Sequence, residues 1–420
     1  MGRRYTDRVL RTVPVPDQRL ADDYLEPAGE EAVERLRAAA EPLKGSRIIH
    51  VSSTSFGGGV AELLPTQVAL LHDLGIDVSW QLMEGSEEFF TVTKLVHNAL
   101  QGAGIPWAES MEQTYLDRVA SNAARFEDPA DFVFVHDPQP LAMLSFLEEW
   151  GRRTGKWVWR CHIDLSHPME QVWSFFGIHA ERYDAAVFTM EDFIRPGVWK
   201  RIAVIPPSID PLSPKNVWLE HESVWEILNA YGIDPQRPLV TQVSRFDPWK
   251  DPLGVIDAYR LSKERVPDQQ LILVGSMAHD DPEAWHYLEQ AQEHRREDPD
   301  VHILTNLQDV GPVAVNAFQR ASTIVLQKSI REGFGLTVAE GMWKERPVIA
   351  GNAGGLRLQI EDGTSGFLVD SVEDCADRIA SLLLDRDLRA TMGHAARERV
   401  RERFLSIREL TDYLELLNEL

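Results

Sequence analysis

Residues 45–83 read GSRIIHVSSTSFGGGVAELLPTQVALLHDLGIDVSWQLM. Arg47–Val51 is a short apolar run, Val60–Leu74 repeats its apolar residues at the helical period, and Val78–Met83 is apolar again. A strand, a glycine-rich turn, a helix and a second strand make one unit of a parallel sheet, because a parallel neighbour is reached only through a crossover. The alternation continues outward. Strands are expected at Phe132–Val135, Lys156–Cys161, Ala185–Thr189 and Ile202–Ile205, with helices near 88–101 and 112–126 and between most of the others. The stretch IPPSIDPLSPKN, 205–216, interrupts the pattern. Its four prolines disfavour both helix and central strand, which makes it a linker candidate. Beyond it strands are expected at Leu239–Val243, Gln270–Val274, Val301–Leu304, Thr323–Gln327 and Val348–Ala350. Helices fill the gaps near 218–230, 252–265, 282–297, 311–321 and 335–344, and from about 371 the chain is almost wholly helical. Residues 1–45 are polar, with a helical stretch near 30–41, and read as an N-terminal extension. The fold class is α/β, with two similar-sized Rossmann-like parallel-sheet domains facing an interdomain cleft. In such folds ligands gather at the C-terminal ends of the strands.

The whole-chain numbers agree. A length of 420 residues exceeds what one hydrophobic core supports. With 66 acidic against 43 basic residues the net charge is −23, which argues against nucleic acid and anionic membrane as partners. A local cluster of cations can still hold a small anion. There is no apolar run long enough for a membrane span and no apolar core in the first residues for a secretory signal. Only Cys161 and Cys375 occur, which excludes a disulfide scaffold and suits the cytoplasm.

Four constellations carry chemistry. Gly57, Gly58 and Gly59 lie between a strand and a helix, where bare amides and the helix N-terminus favour phosphate or sugar oxygens. They do not complete a dinucleotide fingerprint, although Glu84 after the second strand could imitate its ribose-binding acid, and no GxxxxGK[ST] loop is present. Arg245 and Lys250 lie five apart across a proline-containing turn after a strand, where two cations can clamp a diphosphate. Glu332 and Glu340 flank GFGL, residues 333–336; the first sits in a loop, the second on the following helix, where it could accept from ribose hydroxyls. His136 with Asp137, and His162 with Asp164, close two other strands; a histidine there can bond a sugar hydroxyl or move a proton. There is no HExxH or zinc spacing, and no GxSxG elbow, so metal and serine-hydrolase chemistry have no support. The tryptophans, Trp157, Trp159, Trp173, Trp249 and Trp343 among them, are expected in cores, with one or two left open as stacking platforms for a sugar.

The glycine loop, Arg245 with Lys250, and Glu332 with Glu340, in this order over two α/β halves, resemble the retaining GT-B glycosyltransferases of family 4. FVHDPQP (134–140), WVWRCHIDLSHP (157–168), PPSIDPLSPKN (206–216), SRFDPWKDPLGVIDAYR (244–260) and QKSIREGFGLTVAEGMWKERPVIAGNAGG (327–355) are similar to the trehalose glycosyltransferring synthases within it. The resemblance implies an N-terminal acceptor-side domain over 1–209, with a helix from about 400–420 packing back on it, and a nucleotide-sugar-binding domain over 210–399. It implies a nucleotide-glucose donor, glucose as acceptor and α,α-trehalose as product, with the base (ADP-, UDP- or GDP-glucose) left open. Arg245 and Lys250 would neutralise the departing diphosphate, Glu340 would hold the ribose, and Glu332 with the amides of Gly333, Phe334, Gly335 and Leu336 would hold the donor glucose. His162 would contact that glucose near the reacting carbon, Asp137 and Asp164 would position sugars, and Gly57–Gly59 would close over diphosphate or acceptor. No cofactor is required; Mg could accompany the diphosphate without being protein-bound, and a homodimer is left open. The other readings are a sister transferase with a sucrose- or glycogen-synthase-like acceptor, a nicotinamide dehydrogenase, and a non-catalytic nucleotide-sugar sensor.

Overall fold

The computed structural model describes residues 9–16, 19–56, 58–126, 129–277 and 282–420. They divide into two compact units: the described residues up to Pro207 together with Ser406–Leu420, and the described residues of Ser208–Leu405.

In the first unit the strands are β1 Arg11–Thr12, β2 Arg47–Ser52, β3 Asp77–Leu82, β4 Phe132–His136, β5 Lys156–Arg160, β6 Ala185–Phe188 and β7 Ile202–Val204. They form one sheet in the order β1-β3-β2-β4-β5-β6-β7. Every pair is parallel except β1, which runs antiparallel on the edge of β3. The chain leaves β2 toward β3 and later returns to the other side of β2 with β4. The order therefore reverses between β2 and β4, where diverging connections open a crevice at the strand ends. The strand interiors are almost continuously apolar because helices cover both faces. Trp157 and Trp159 of β5 are fully buried in that core, and Trp173 is buried with them.

The second unit repeats the plan. Its strands are β8 Leu239–Val243, β9 Gln270–Gly275, β10 Val301–Thr305, β11 Ile324–Gln327, β12 Val348–Gly351 and β13 Phe367–Val369, in the order β10-β9-β8-β11-β12-β13. All pairs are parallel, and the reversal falls between β8 and β11. Trp343 is buried, whereas Trp249, on the loop after β8, is 40% exposed and belongs to no core.

Three expectations need correction. The N-terminal residues are not an appendage: the helix Glu30–Ala40 buries Val33 and Leu36 completely. It lies against the last helix, Ser406–Asn418, through Arg35, which forks onto Glu415 at 2.9 and 2.8 Å. The proline-rich stretch does carry the boundary between the units, after Pro207, but it is not a free linker. From Ser208 onward it is packed into the second unit, with Ser208, Ile209, Asp210 and Asn216 buried and the Ile209 N–H donating to Phe404 O at 2.8 Å. Finally, the return to the first unit begins at Ser406, because the helix Arg386–Arg403 stays in the second. The short edge strands β1 and β13 escaped the sequence reading.

A buried hydroxyl bridges two points of the loop after β4. Tyr115 Oη, fully buried on the helix Glu109–Arg125, donates to Pro138 O at 2.8 Å and accepts from the Ala142 N–H at 3.2 Å. Tyr115→Phe leaves the Ala142 N–H unpaired and Pro138 O with only the Leu141 N–H at 3.3 Å, and should cost about 1–3 kcal/mol in denaturant unfolding of the first unit. A loss below about 0.5 kcal/mol, the scale of an ordinary surface change, would show that the loop is held by something else.

Candidate active site

At the β8/β11 reversal two loops are laced together. Asp247 opens a single turn at Pro248–Lys250, its Oδ1 accepting from the N–H groups of Trp249 at 2.9 Å and Lys250 at 3.2 Å. Asp followed by Pro favours this geometry: Asp supplies the cap and Pro presets φ at the first position. The turn delivers Lys250 toward β11, where its Nζ donates to Glu332 Oε2 at 2.6 Å. The same oxygen accepts from Gln327 Nε2 and Ser329 Oγ, each at 3.2 Å. Gln242, at the end of β8, ties the loops from beneath: its Nε2 donates to Lys250 O at 2.9 Å and its Oε1 accepts the Lys328 N–H at 3.0 Å. Lys328 pairs with Asp251, and the Ile330 N–H donates to Trp249 O at 2.7 Å. Arg245 stands apart, with its side chain 63% exposed. Its Nη2 is 2.9 Å from Asp247 Oδ2, near enough to pair by charge but off the hydrogen-bonding direction.

Gly335, at φ +82°, starts the helix Leu336–Trp343. A side chain there would press on Leu356 and on Glu332 itself. The GFG backbone is braced from behind by Gly355, whose missing Cβ would lie 2.4 Å from Gly333 O, and by Gln359 Nε2, which donates to Phe334 O. The amides of residues 333–336 are thus held at a helix N-terminus beside the Lys250–Glu332 pair, an arrangement suited to an anion or to sugar hydroxyls.

Glu340 lies in a different environment. It is buried in the second unit, with Oε2 accepting from Gln319 Nε2 at 3.3 Å and Oε1 3.6 Å from Lys215 Nζ. Lys344, one turn further on, is also buried; its Nζ donates to Glu340 O at 3.0 Å, Gln319 Oε1 at 2.8 Å and Asn216 Oδ1 at 2.9 Å. Burial pushes its ammonium down to about 7, with Arg320, Lys215 and Arg346 adding to the fall and Glu340 opposing it.

In the first unit the β2/β4 reversal gathers a different chemistry. Gly57 lies outside the described residues. Gly58, at φ +84°, leads into the helix Gly59–Asp73, and Phe56 beside it is 80% exposed. His136 ends β4. Asp137 follows in the left-handed region at φ +64°, and its Oδ1 accepts the His162 N–H at 3.0 Å, so the two expected residues meet. Asp164 turns back on its own loop and accepts the Ser166 N–H at 2.8 Å. His162 Nε2 lies 3.3 Å from His136 Nδ1, and His136 Nε2 lies 3.0 Å from Nδ1 of His50 on β2. Sequence reading passed over His50, which sits inside an apolar strand. It also passed over Gln242, Gln327 and Lys328, although a polar side chain closing each of two apolar strands, TQV and LQK, was a usable signal. Glu84, weighed as a ribose-binding acid, pairs instead with Arg125 at 2.5 Å. Among the described residues no three His, Cys, Asp or Glu side chains gather as a metal site, and no helix is long and apolar enough to cross a membrane.

Two doubly wound parallel sheets, with glycine loops and polar strand ends at their reversal points, define the GT-B class of glycosyltransferase. Comparison with known proteins agrees. Residues 50–195 match the family model for the trehalose synthase N-terminal domain, and residues 223–399 match that for glycosyl transferases group 1. The trehalose synthase of Thermococcus litoralis is 48% identical over 400 residues, 94% of this chain and 96% of the relative. That of Rubrobacter xylanophilus is 46% identical over 409 residues, 96% of this chain and 98% of the relative. The chain belongs to the trehalose synthase family and is a glycosyltransferase. Among solved structures, the UDP-forming α,α-trehalose-phosphate synthase of Burkholderia xenovorans matches with a TM-score of 0.69 at 15% identity, covering 89% of this chain and 99% of that one. Sucrose-phosphate synthase of Thermosynechococcus elongatus matches with a TM-score of 0.67 at 17% identity, covering 89% and 98%. At those identities the likeness is one of fold.

The three rings make stability depend on pH. Burial pushes His50 from 6.5 to about 3. It also holds His136 and His162 well below their ordinary value, with Arg160 lowering both and the neighbouring rings lowering His136 further. Each ring folds neutral, so its contribution is complete above pH 6.5 and is lost as the pH falls, down to about pH 3 for His50. Asp137 runs the other way: burial raises its carboxyl from 3.8 to about 6, so its cost is full above pH 6 and relieved below. Three rings outweigh one carboxyl. The first unit should lose about 2 kcal/mol through His50 between pH 6.5 and 5 in denaturant unfolding, with His136 and His162 acting in the same direction. His50→Phe should flatten that profile and Asp137→Asn should steepen it; a profile unchanged by both would mean that these groups do not carry it.

Proposed function

We propose that this protein is a retaining glucosyltransferase that joins the glucosyl unit of a nucleoside-diphosphate-glucose to free glucose, giving α,α-trehalose and a nucleoside diphosphate, in a reversible reaction. The carrying observation is the strand-end cluster of the second unit. Lys250, the neighbouring and exposed Arg245, and the GFGL helix N-terminus offer positive charge on adjacent loops in a chain of the trehalose synthase family. A diphosphate leaving group needs charge stabilisation rather than a protein nucleophile.

Lys250 and Arg245 take up charge as the bond between the anomeric carbon and the phosphate oxygen breaks. Glu332 and the amides of residues 333–336 hold hydroxyls of the donor glucose. Glu340 holds the ribose, which requires Oε1 to exchange its 3.6 Å approach to Lys215 for hydroxyl donors. His162 contacts the donor glucose, with Asp137 fixing the backbone at His162 and Asp164 setting its loop. No carboxylate is assigned to the opposite face of the sugar, so retention proceeds on the face the diphosphate leaves. The acceptor hydroxyl bonds the anomeric carbon, and its proton passes to the departing phosphate oxygen. Magnesium carried by the diphosphate is compatible with these roles. Cys161 and Cys375 are both buried and unbridged, which supports a reducing cytoplasm.

Incubation with ADP-, UDP- or GDP-glucose plus free glucose, followed by NMR of the product, should give α,α-trehalose with at least one donor. A β-linked product, or transfer only to another acceptor, would overturn the proposal. Arg245→Ala or Lys250→Ala should lower kcat about 30- to 1000-fold, the loss of one charge-assisted contact in the transition state. Glu340→Gln should mainly raise the donor KM and Glu332→Gln mainly lower kcat, because ribose contacts are alike in ground and transition states. The opposite split would exchange the two roles.

A further inference from the structure

His50, His136 and His162 come from β2, the end of β4 and the segment after β5, three neighbours in the sheet. In register, His50 stands beside Phe134, and His136 beside Arg160. The rings stack: His50 on Phe134 with centroids 5.0 Å apart and 10° between planes, His50 on His136 at 5.3 Å and 28°, and His136 on His162 at 5.6 Å and 17°. They are also bonded edge to edge, His50 Nδ1 to His136 Nε2 at 3.0 Å and His136 Nδ1 to His162 Nε2 at 3.3 Å. His50 and His136 are buried, and His50 Nε2 is sealed from solvent with no partner among the described residues. His162 is only partly covered, and its Nδ1 bonds to no other described residue.

A neutral imidazole carries one N–H, so two bonds between three neutral rings leave two arrangements. In the first, every Nδ1 carries the proton: His50 donates to His136, His136 donates to His162, and His162 turns an Nδ1–H outward. In the second, every Nε2 carries it, the bonds run inward, and His162 turns a bare nitrogen outward. The second strands an N–H at His50 Nε2, in a place with no acceptor. The first leaves only a lone pair there, and unpaired buried donors are the rarer of the two defects. Burial and Arg160 keep a fourth proton off the stack.

We infer that His50 and His136 are positioning residues that lock His162 in the Nδ1–H tautomer, so that His162 meets the sugar as a hydrogen-bond donor. This rests on the proposal above that His162 touches the donor glucose. The relay accounts for a buried histidine inside the apolar strand β2 that touches no ligand itself. It also sets the sign of the contact. A donor at His162 favours oxygens that gain negative charge and would not act as a general base.

Long-range proton–nitrogen correlation NMR on the full-length protein with labelled histidine reads the tautomers directly. The 13 histidines are assigned for these three rings from His50→Phe, His136→Phe and His162→Ala. All three rings should carry the proton on Nδ1, the form that free histidine disfavours. His50→Asp puts an acceptor where His50 Nδ1 donated, so His136 should turn an Nε2–H toward it, the bonds reverse and His162 should shift toward the Nε2–H form. Its kcat should fall about 10- to 100-fold, the usual effect of altering a histidine's orienting partner, with little change in donor KM. His50→Asn, of the same shape but with an N–H to offer His136 Nε2, should recover turnover. A protonated Nε2 on His162 in the unaltered protein overturns the inference, as does a His50→Asp protein with unchanged tautomer and unchanged kcat. If His50→Asp does not fold, the spectrum of the unaltered protein decides. A spectrum as expected, together with normal turnover of His162→Ala, would remove the catalytic contact while leaving the tautomer lock in place, and so separates the two claims.

Discussion

Lys250 and Glu332 meet at 2.6 Å with only 12% and 11% of their side chains exposed. Taking two charges that far out of water is expensive, and it is tolerated only when the pair is close and its other lone pairs are filled. Gln327 and Ser329 add two neutral donors to the same oxygen, Glu332 Oε2, while Gln242, beneath, holds both loops by their backbones. The ion pair therefore depends on β8 and β11 being neighbours, and they are neighbours because the order of the sheet reverses there. It also limits what else can change. Gly335 must lack a side chain because Glu332 occupies the space, and Gly355 must lack one because the GFG backbone passes over it. A lysine held this way is preorganised and still exchangeable, since the diphosphate of the proposed reaction would offer it the same kind of partner that Glu332 does.

The two units use opposite electrostatics at equivalent places. In the second, the reversal point gathers formal charges in ion pairs, Lys250 with Glu332 and Lys328 with Asp251. In the first, it gathers rings kept neutral by burial and a carboxyl whose ionisation is resisted. A departing diphosphate calls for the former. A sugar, which is neutral and rich in hydroxyls, calls for fixed donors and acceptors, and a locked imidazole tautomer supplies one. The proposed glucosyl transfer needs both.

Most of the fold was legible in the sequence. Strands buried on both faces make short apolar runs, and the intervening helices repeat at their own period, so β2 to β12 could be placed within a residue or two. The edges of each unit were not legible. β1 has only two residues, β13 is a three-residue edge strand between turns and a helix, and the first forty residues look polar because only one stripe of the helix Glu30–Ala40 is buried. Prolines 206 to 214 suggested a linker, but proline also suits an extended segment packed without ladder bonds. At the site, glycines and charged residues stood out at strand ends. Their supports did not. Gln242 and Lys344 matter through contacts with residues far along the chain, Gln327 through the fold of its own loop, and His50 is hidden in an apolar strand. No periodicity reports such contacts.

Calorimetric titration of the intact protein with a nucleoside diphosphate tests the exchange at Lys250 most directly. If Glu332 holds the place of the diphosphate, Lys250→Ala should weaken binding at least about tenfold, whereas Glu332→Gln, which frees the lysine, should bind as tightly as the unaltered protein or more so. Equal affinity for the unaltered protein and Lys250→Ala, or a Glu332→Gln protein that binds as poorly as Lys250→Ala, would contradict the assignment of this ion pair to the leaving group.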